Sequence, residues 1–375
     1  MKTPSYDVLV IGAGIVGAAC ADACSAEGLR VCVVEAEIIG GGATAAGMGH
    51  LVVMDDSEAQ FALTRYSRQL WHRLAPELPD DVEFERCGTI WVAADDEEMA
   101  AVRRKKEFYE SRGAAAEILD SKSLREAEPN LREGLAGGLL VRDDAVIYAP
   151  CAARFLIERA QSRGADIYLP RIAAEIKPGS VRLNDGSLIY SRWVINAAGT
   201  WSPALTPGIE VRKRKGHLLI TDRYPRFVRH QLVELGYLKS AHSFTKESVA
   251  FNVQPRRTGQ LLIGSSRQFD CDTKEIDSAM LSRMLARAEE FMPRLGGLSA
   301  IRSWTGFRPA TPDKLPLIGP WPRQENLLLA TGHEGLGITT SLATARLLVD
   351  HILGRPSEIP AEPYAAARIL EKVHA

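Results

Sequence analysis

The run Tyr6-Asp7-Val8-Leu9-Val10-Ile11-Gly12-Ala13-Gly14-Ile15-Val16-Gly17 is a short apolar strand that feeds a glycine-rich turn, and the Ala-rich stretch Ile15 to Glu27 behind it predicts a helix. Gly28 then precedes a second apolar run, Val31 to Val34, which ends at Glu35, 18 residues after Gly17. Strand, tight turn, helix, strand and terminal acid together read as a dinucleotide site. Gly12 permits the tight turn, Gly14 lets the backbone approach a pyrophosphate, and Gly17 lets helix and strand pack closely. The helix N-terminus presents N–H donors and a favourable dipole to the phosphates. Glu35 can accept both ribose hydroxyls of the adenosine half and would repel a 2′-phosphate.

Further small-residue turns follow. Gly40-Gly41-Gly42-Ala43-Thr44-Ala45-Ala46-Gly47 gives close backbone access to a long ligand, which favours FAD over NAD, although alone it would read as a flexible loop. Asn196-Ala197-Ala198-Gly199-Thr200-Trp201-Ser202 sits at the end of a predicted strand. Gly332-His333-Glu334-Gly335-Leu336-Gly337 stands directly before a helix predicted over Gly335–Leu353, whose N–H groups would stabilise negative charge on a reduced flavin.

Between these turns the texture varies. Ser57–Leu74 has helical apolar spacing, with Ser57 as cap and Pro76 beyond its end. From Val82 short β-like pieces (Val82–Glu85, Thr89–Val92, Gly138–Val141) alternate with charged helical stretches, the start of a second region. Ala149–Gly164 predicts a helix, and Asn184-Asp185-Gly186 a hairpin turn into Ser187–Asn196. Lys215–Arg267 reads as a mostly antiparallel lobe. The basic run Arg212-Lys213-Arg214-Lys215 fits alternation on an edge strand rather than an anion site.

At 375 residues the chain exceeds what one hydrophobic core usually organises, so two lobes are expected. Its 46 Lys+Arg against 47 Asp+Glu leave a formal net charge of −1, and nothing global attracts nucleic acid or an anionic membrane. Cys20, Cys24, Cys32, Cys87, Cys151 and Cys271 are scattered without metal spacing, as reduced thiols in a cytoplasmic protein would be. Neither a signal peptide nor a transmembrane helix is expected, and no metal.

Three motifs in order, together with the terminal Gly-His-x-x-x-Gly, resemble the D-amino-acid oxidase superfamily in its glycine/sarcosine oxidase and D-amino-acid dehydrogenase branch. They are the first turn with Glu35, the Asn-Ala-Ala-Gly-Thr-Trp segment, and Arg308-Pro309-Ala310-Thr311-Pro312-Asp313 with Pro316-Leu317-Ile318-Gly319. Gly332-His-Glu-Gly-Leu-Gly-Ile-Thr-Thr and Gln260-Leu-Leu-Ile-Gly-Ser-Ser-Arg-Gln look most like the flavin subunits of hydrogen cyanide synthase and bacterial D-hydroxyproline dehydrogenase.

The resemblance implies an α/β (α+β overall) chain: a Rossmann-type FAD domain (1–80, 148–210 and 305–375) interleaved with a mixed, largely antiparallel substrate or roof domain (81–147 and 211–304). The cofactor would run along Gly12, Gly14, Ile15, Val16 and Gly17, past Glu35 and Ala36, then along Gly42, Ala43, Thr44, Gly47, Met48 and Gly49. It would continue by Ala198, Gly199 and Trp201 to Gly332, His333, Gly335, Leu336, Gly337, Ile338 and Thr339. Arg308 would bind the substrate carboxylate, a role its planar fork suits, unless it pairs with Asp313 instead. His50 would touch flavin or substrate, or be a packed core histidine. Tyr237 would offer its hydroxyl to the carboxylate, or merely pack, and His242 and Lys239 are weaker candidates.

Two departures count. Glycine-oxidase-like members often carry an Arg inside the terminal Gly-His segment, where this chain has His333-Glu334-Gly335-Leu336. The cysteine that holds flavin covalently in monomeric sarcosine oxidases has no counterpart, because Cys271 is the last cysteine. Non-covalent FAD follows. The expected reaction is hydride transfer from Cα of a small amino or imino acid, of D-hydroxyproline or D-proline type, to flavin N5. The expected setting is a multi-subunit dehydrogenase whose partner subunits carry further redox centres. A sarcosine, glycine or opine oxidase subunit, or a FAD-retaining non-catalytic subunit, is the alternative.

Overall fold

The computed structural model describes residues 5–236 and 247–371, which form two eight-stranded sheets and a two-stranded one. Tyr237, Lys239 and His242 lie outside the described residues.

The first sheet is built where the glycine-rich turn predicted it. Ser5–Ile11 pairs in parallel with Val31–Val34 on one side and with Leu188–Asn196 on the other. Asp166–Tyr168 and Leu327–Thr331 extend it outward in parallel, and Leu317–Pro320 closes one edge antiparallel. Central strands buried on both faces read as unbroken apolar runs, which is why Val8 to Ile11 and Val31 to Val34 show no alternation. The helix Ile15–Ala26 packs between the helices Ala149–Ser162 and Gly337–Leu353, and its Ala18, Ala19 and Ala21 are small enough for that close approach.

The predicted cap holds: Ser57 accepts from Gln60 N at 3.1 Å before the helix Glu58–Leu74. Gly354 ends Gly337–Leu353 at φ +64°. The Asn184–Gly186 turn joins antiparallel strands Ser180–Leu183 and Leu188–Asn196.

The second sheet runs in the order Ala300–Ala310, Arg212–Thr221, Leu261–Gln268, Glu247–Pro255, Gln231–Glu234, Thr89–Ala93, Gly137–Val141 and Glu117–Asp120. One parallel pairing, Gln231–Glu234 with Thr89–Ala93, joins its two sequence-distant parts into one antiparallel-dominated layer. Ala300–Ala310 passes through the expected 304/305 division and pairs with Arg212–Thr221 from Ala300 to Ala310, so the division we propose falls after Ala310.

Two local expectations fail. Val82–Glu85 is not a strand: Asp80–Val82 is a 3-10 turn, Glu83 is left-handed at φ +51°, and only Glu85 forms a bridge, to Val146. The basic run is not on an edge strand: Arg212–Thr221 pairs with Ala300–Ala310 along its length and, from Lys215 on, with Leu261–Gln268. Its charges are separated by environment: Arg212 and Lys213 meet Glu210 and Asp272 at the surface, whereas Arg214 and Lys215 are buried.

Candidate active site

The first turn needs glycine at Gly12 and Gly17 for steric reasons. Gly12 sits at φ +100°, and a Cβ there would lie 2.7 Å from the Ala197 carbonyl oxygen. A Cβ on Gly17 would collide with the Gly12 carbonyl, so this glycine serves the contact between helix and turn and lies behind the cavity wall. Gly14 has ordinary backbone angles (φ −64°, ψ 172°), and its Cβ direction meets only Thr44 Oγ1, at 3.2 Å. That hydroxyl accepts from Ile15 N at 2.9 Å and thereby caps the first helix from the second glycine loop, where Gly42–Ala45 forms a short helical turn. Glu35 accepts from Ala13 N at 2.7 Å through one carboxylate oxygen and from Glu37 N at 2.8 Å through the other, which fixes the acid at the strand end.

These turns border a cavity of about 600 Å³. First-sheet connections supply Gly12, Gly14, Ile15 and Val16 to its wall, then Glu35 and Ala36. The second glycine loop adds Gly42, Ala43, Thr44, Gly47, Met48, Gly49 and His50. Ala198, Gly199, Trp201, His333, Gly335, Gly337 and Ile338 complete this side. Gly332, Leu336 and Thr339 lie behind it: Thr339 Oγ1 donates to the His50 carbonyl at 2.8 Å, so it supports the strand that carries His50. Arg171 and Ile172 also line the cavity beside Glu35. No motif marks them; they arrive through the pairing of Asp166–Tyr168 with Val31–Val34.

The second sheet forms the opposite wall with Gly216, Leu218, Asn252, Ser265, Phe307 and Arg308. Arg308 Nη1 donates to the Ser266 carbonyl at 3.0 Å. Its guanidinium lies over Gly216, where a Cβ would come within 2.6 Å of Nη2 and 2.7 Å of Cζ. Only glycine leaves room there, a fact that the sequence conceals because it depends on the register of Arg212–Thr221 against Ala300–Ala310. Asp313, the rival partner for Arg308, receives Arg368 Nε at 2.8 Å and Nη2 at 3.2 Å.

Glu334, in the departed Gly-His segment, takes left-handed backbone at φ +49° and pairs with the buried Arg214. Burial pushes its carboxyl up, but the guanidinium groups of Arg214, Arg267 and Arg308 overcome this and hold it below its ordinary value. An ionised acid thus sits in the cavity wall beside Arg308.

His50 is half-buried, and its buried Nε2 has no hydrogen-bond partner among the described residues. Burial, then the charge of Arg308, brings its pKa down to about 3. His333 is likewise lowered to about 3 by burial, and its Nε2 meets Thr344 Oγ1 at 3.0 Å. Both imidazoles are neutral when folded and titrate near 6.5 when unfolded, so the unfolded chain binds more protons between pH 6.5 and about 3. Their share of stability is full above that window and is lost as pH falls through it. In a series of melting temperatures against pH, His50→Asn should show a shallower decline below pH 6.5 than the wild type. An identical decline would mean that His50 titrates normally.

Six free thiols are spread over the described chain, and none of them lines the cavity. The glycine cradle, the acid at the strand end and the long cavity fit a dinucleotide held without a covalent link. Among the described residues no helix is long and apolar enough to cross a membrane, and no cluster of His, Cys, Asp and Glu could hold a metal ion.

The model of the FAD dependent oxidoreductase family matches residues 7–351, which decides the assignment. The chain belongs to that family. This FAD dependent oxidoreductase is 27% identical to a glycine oxidase of Bacillus licheniformis, over 94% of each chain. It is 28% identical to the hydrogen cyanide synthase subunit HcnC of Pseudomonas aeruginosa, over 97% of this chain and 96% of that one. The crystal structure of glycine oxidase from Geobacillus kaustophilus superposes with a TM-score of 0.86 at 26% identity, covering 97% of this chain and 98% of that one. FAD is therefore the cofactor, and the enzyme is a flavin oxidoreductase.

Proposed function

We propose that the protein oxidises the Cα–N bond of a small amino or imino acid, preferring cyclic imino acids of the D-proline type. We further propose that it works in the cytoplasm as the flavin subunit of a larger dehydrogenase, with partner subunits carrying the electrons onward. Similarity to subunit HcnC supports the partner reading. The observation that carries the substrate reading is Arg308, set over Gly216 in the wall opposite the glycine turns.

FAD, when bound, supplies the acceptor for a hydride leaving Cα. Arg308 holds the substrate carboxylate with two parallel N–H donors, fixing Cα relative to the cofactor. The neutral His50 offers Nε2 as an acceptor to an amine N–H and stays uncharged at working pH, because burial and Arg308 keep it unprotonated. The first-turn N–H groups of the helix Gly337–Leu353 lack intrahelical acceptors, so they favour negative charge at the cavity face that Gly337 and Ile338 border. Glu334 balances the arginines, keeping a buried cationic patch from opposing the positive charge that develops on the substrate nitrogen as the C=N bond forms.

The test is anaerobic bleaching of the purified protein by a panel of amino and imino acids. D-proline and D-hydroxyproline should bleach the flavin fastest, with glycine, sarcosine and opines slow. The reverse ranking would move the assignment to a glycine, sarcosine or opine oxidase.

A further inference from the structure

We propose that Asn252 and Ser265 form a specificity site for a hydroxyl group on the substrate's side chain. The inference rests on the reading of the cavity as an amino- or imino-acid site and names a feature of the substrate. Both residues line the cavity from the second sheet, and each is only 5% exposed. Asn252 Oδ1 and Ser265 Oγ have no hydrogen-bond partner among the described residues. Buried polar atoms of this kind are costly unless something meets them, and in a ligand cavity the ligand is what meets them.

The sheet is irregular at this point. Along the pair Glu247–Pro255 and Leu261–Gln268, Val249 faces Ser266, but Asn252 faces Gly264, so one extra residue lies on the first strand. Such a bulge re-aims side chains. A Cβ on Gly264 would approach Leu218 and, at 3.0 Å, Met48 Sδ, both of which line the cavity. Regular alternation would turn the next residue, Ser265, to the far side of the sheet. Instead Ser265 also borders the cavity, one residue along from the Gly264 that faces Asn252. Ser266 takes no part, because its hydroxyl accepts from His217 N at 2.8 Å.

The chemistry of the two atoms selects the group. Asn252 Oδ1 only accepts, whereas the Ser265 hydroxyl both donates and accepts. A carboxylate cannot donate to Oδ1, and Arg308 already serves it. A neutral ring amine has one N–H and can donate to only one of the two atoms, and a hydroxyl donating into its lone pair would hold back the electrons that must form the C=N bond. A substrate hydroxyl satisfies both atoms, donating to Asn252 and accepting from Ser265. A site built this way discriminates against the analogue that lacks the group, since its own polar atoms are then left unpaired.

The experiment compares kcat/KM for substrate pairs differing by one hydroxyl, D-proline with 4-hydroxy-D-proline and D-alanine with D-serine, in wild type, Asn252→Ala and Ser265→Ala. The ratio of hydroxylated to plain substrate should fall about tenfold in each variant, the usual consequence of losing one buried partner. Dissociation constants of unreactive hydroxylated and plain ring carboxylates, read from the flavin spectrum, should shift in the same ratio. Ser265→Ala removes one oxygen only, and keeps the test decisive where Asn252→Ala yields no folded protein. An unchanged ratio, an equal fall for both members of a pair, or loss of FAD would each overturn the assignment. Flavin that no amino or imino acid bleaches in the wild type would instead sink the parent reading, and this site with it.

Discussion

Arg308→Lys should slow anaerobic flavin reduction by roughly one to two decades while leaving flavin content and melting temperature close to wild type. The charge persists, so Glu334 keeps part of the field that holds it ionised. Geometry is what disappears. The guanidinium spans from the Ser266 carbonyl to the space above Gly216. A lysine ammonium is a point charge that cannot hold both carboxylate oxygens in one plane, so Cα–H loses its alignment with the cofactor. Stopped-flow reduction rates against substrate concentration, at equal flavin occupancy, decide the matter. Unchanged kinetics, or joint loss of flavin and fold, would make Arg308 a structural ion-pair partner.

Gly14→Val should give folded apoprotein. The backbone at Gly14 (φ −64°, ψ 172°) suits valine, so no strain opposes folding. The branched side chain must then enter the cavity or press on Thr44 Oγ1, which caps the first helix. Either way it occupies the place where the turn lets a pyrophosphate approach the helix N-terminus. Purified variant should be colourless, with a far-UV spectrum like that of wild type; full FAD occupancy would remove this turn from the cofactor site.

What was legible in the sequence is what local sterics impose. Gly12, Gly17 and Glu35 act within one strand-turn-helix-strand unit, and each has a reason that spacing alone expresses. The cap at Ser57 is local in the same way. Features set by pairing between distant strands were not legible. Gly216 looks like any strand glycine until Arg308 is laid across it by the register of two strands far apart in the chain. Asn252 sits in an unremarked β-run, and although Ser265 lies in the Gln260–Gln268 segment, nothing in either run announces that both border the cavity. The basic run misled because charge alternation suggested an edge, whereas Arg214 is drawn inward by Glu334. Thr339 was read as touching the cofactor but lies one layer back, supporting His50.

The most direct test of a flavin enzyme that takes hydride from Cα uses D-proline and its Cα-deuterated form, mixed anaerobically with the yellow protein. The visible flavin band should bleach in a single turnover, markedly more slowly with deuterium, and acid precipitation should leave FAD in the supernatant. A band that persists through the whole amino- and imino-acid panel, and falls only when a chemical reductant is added, would contradict the account.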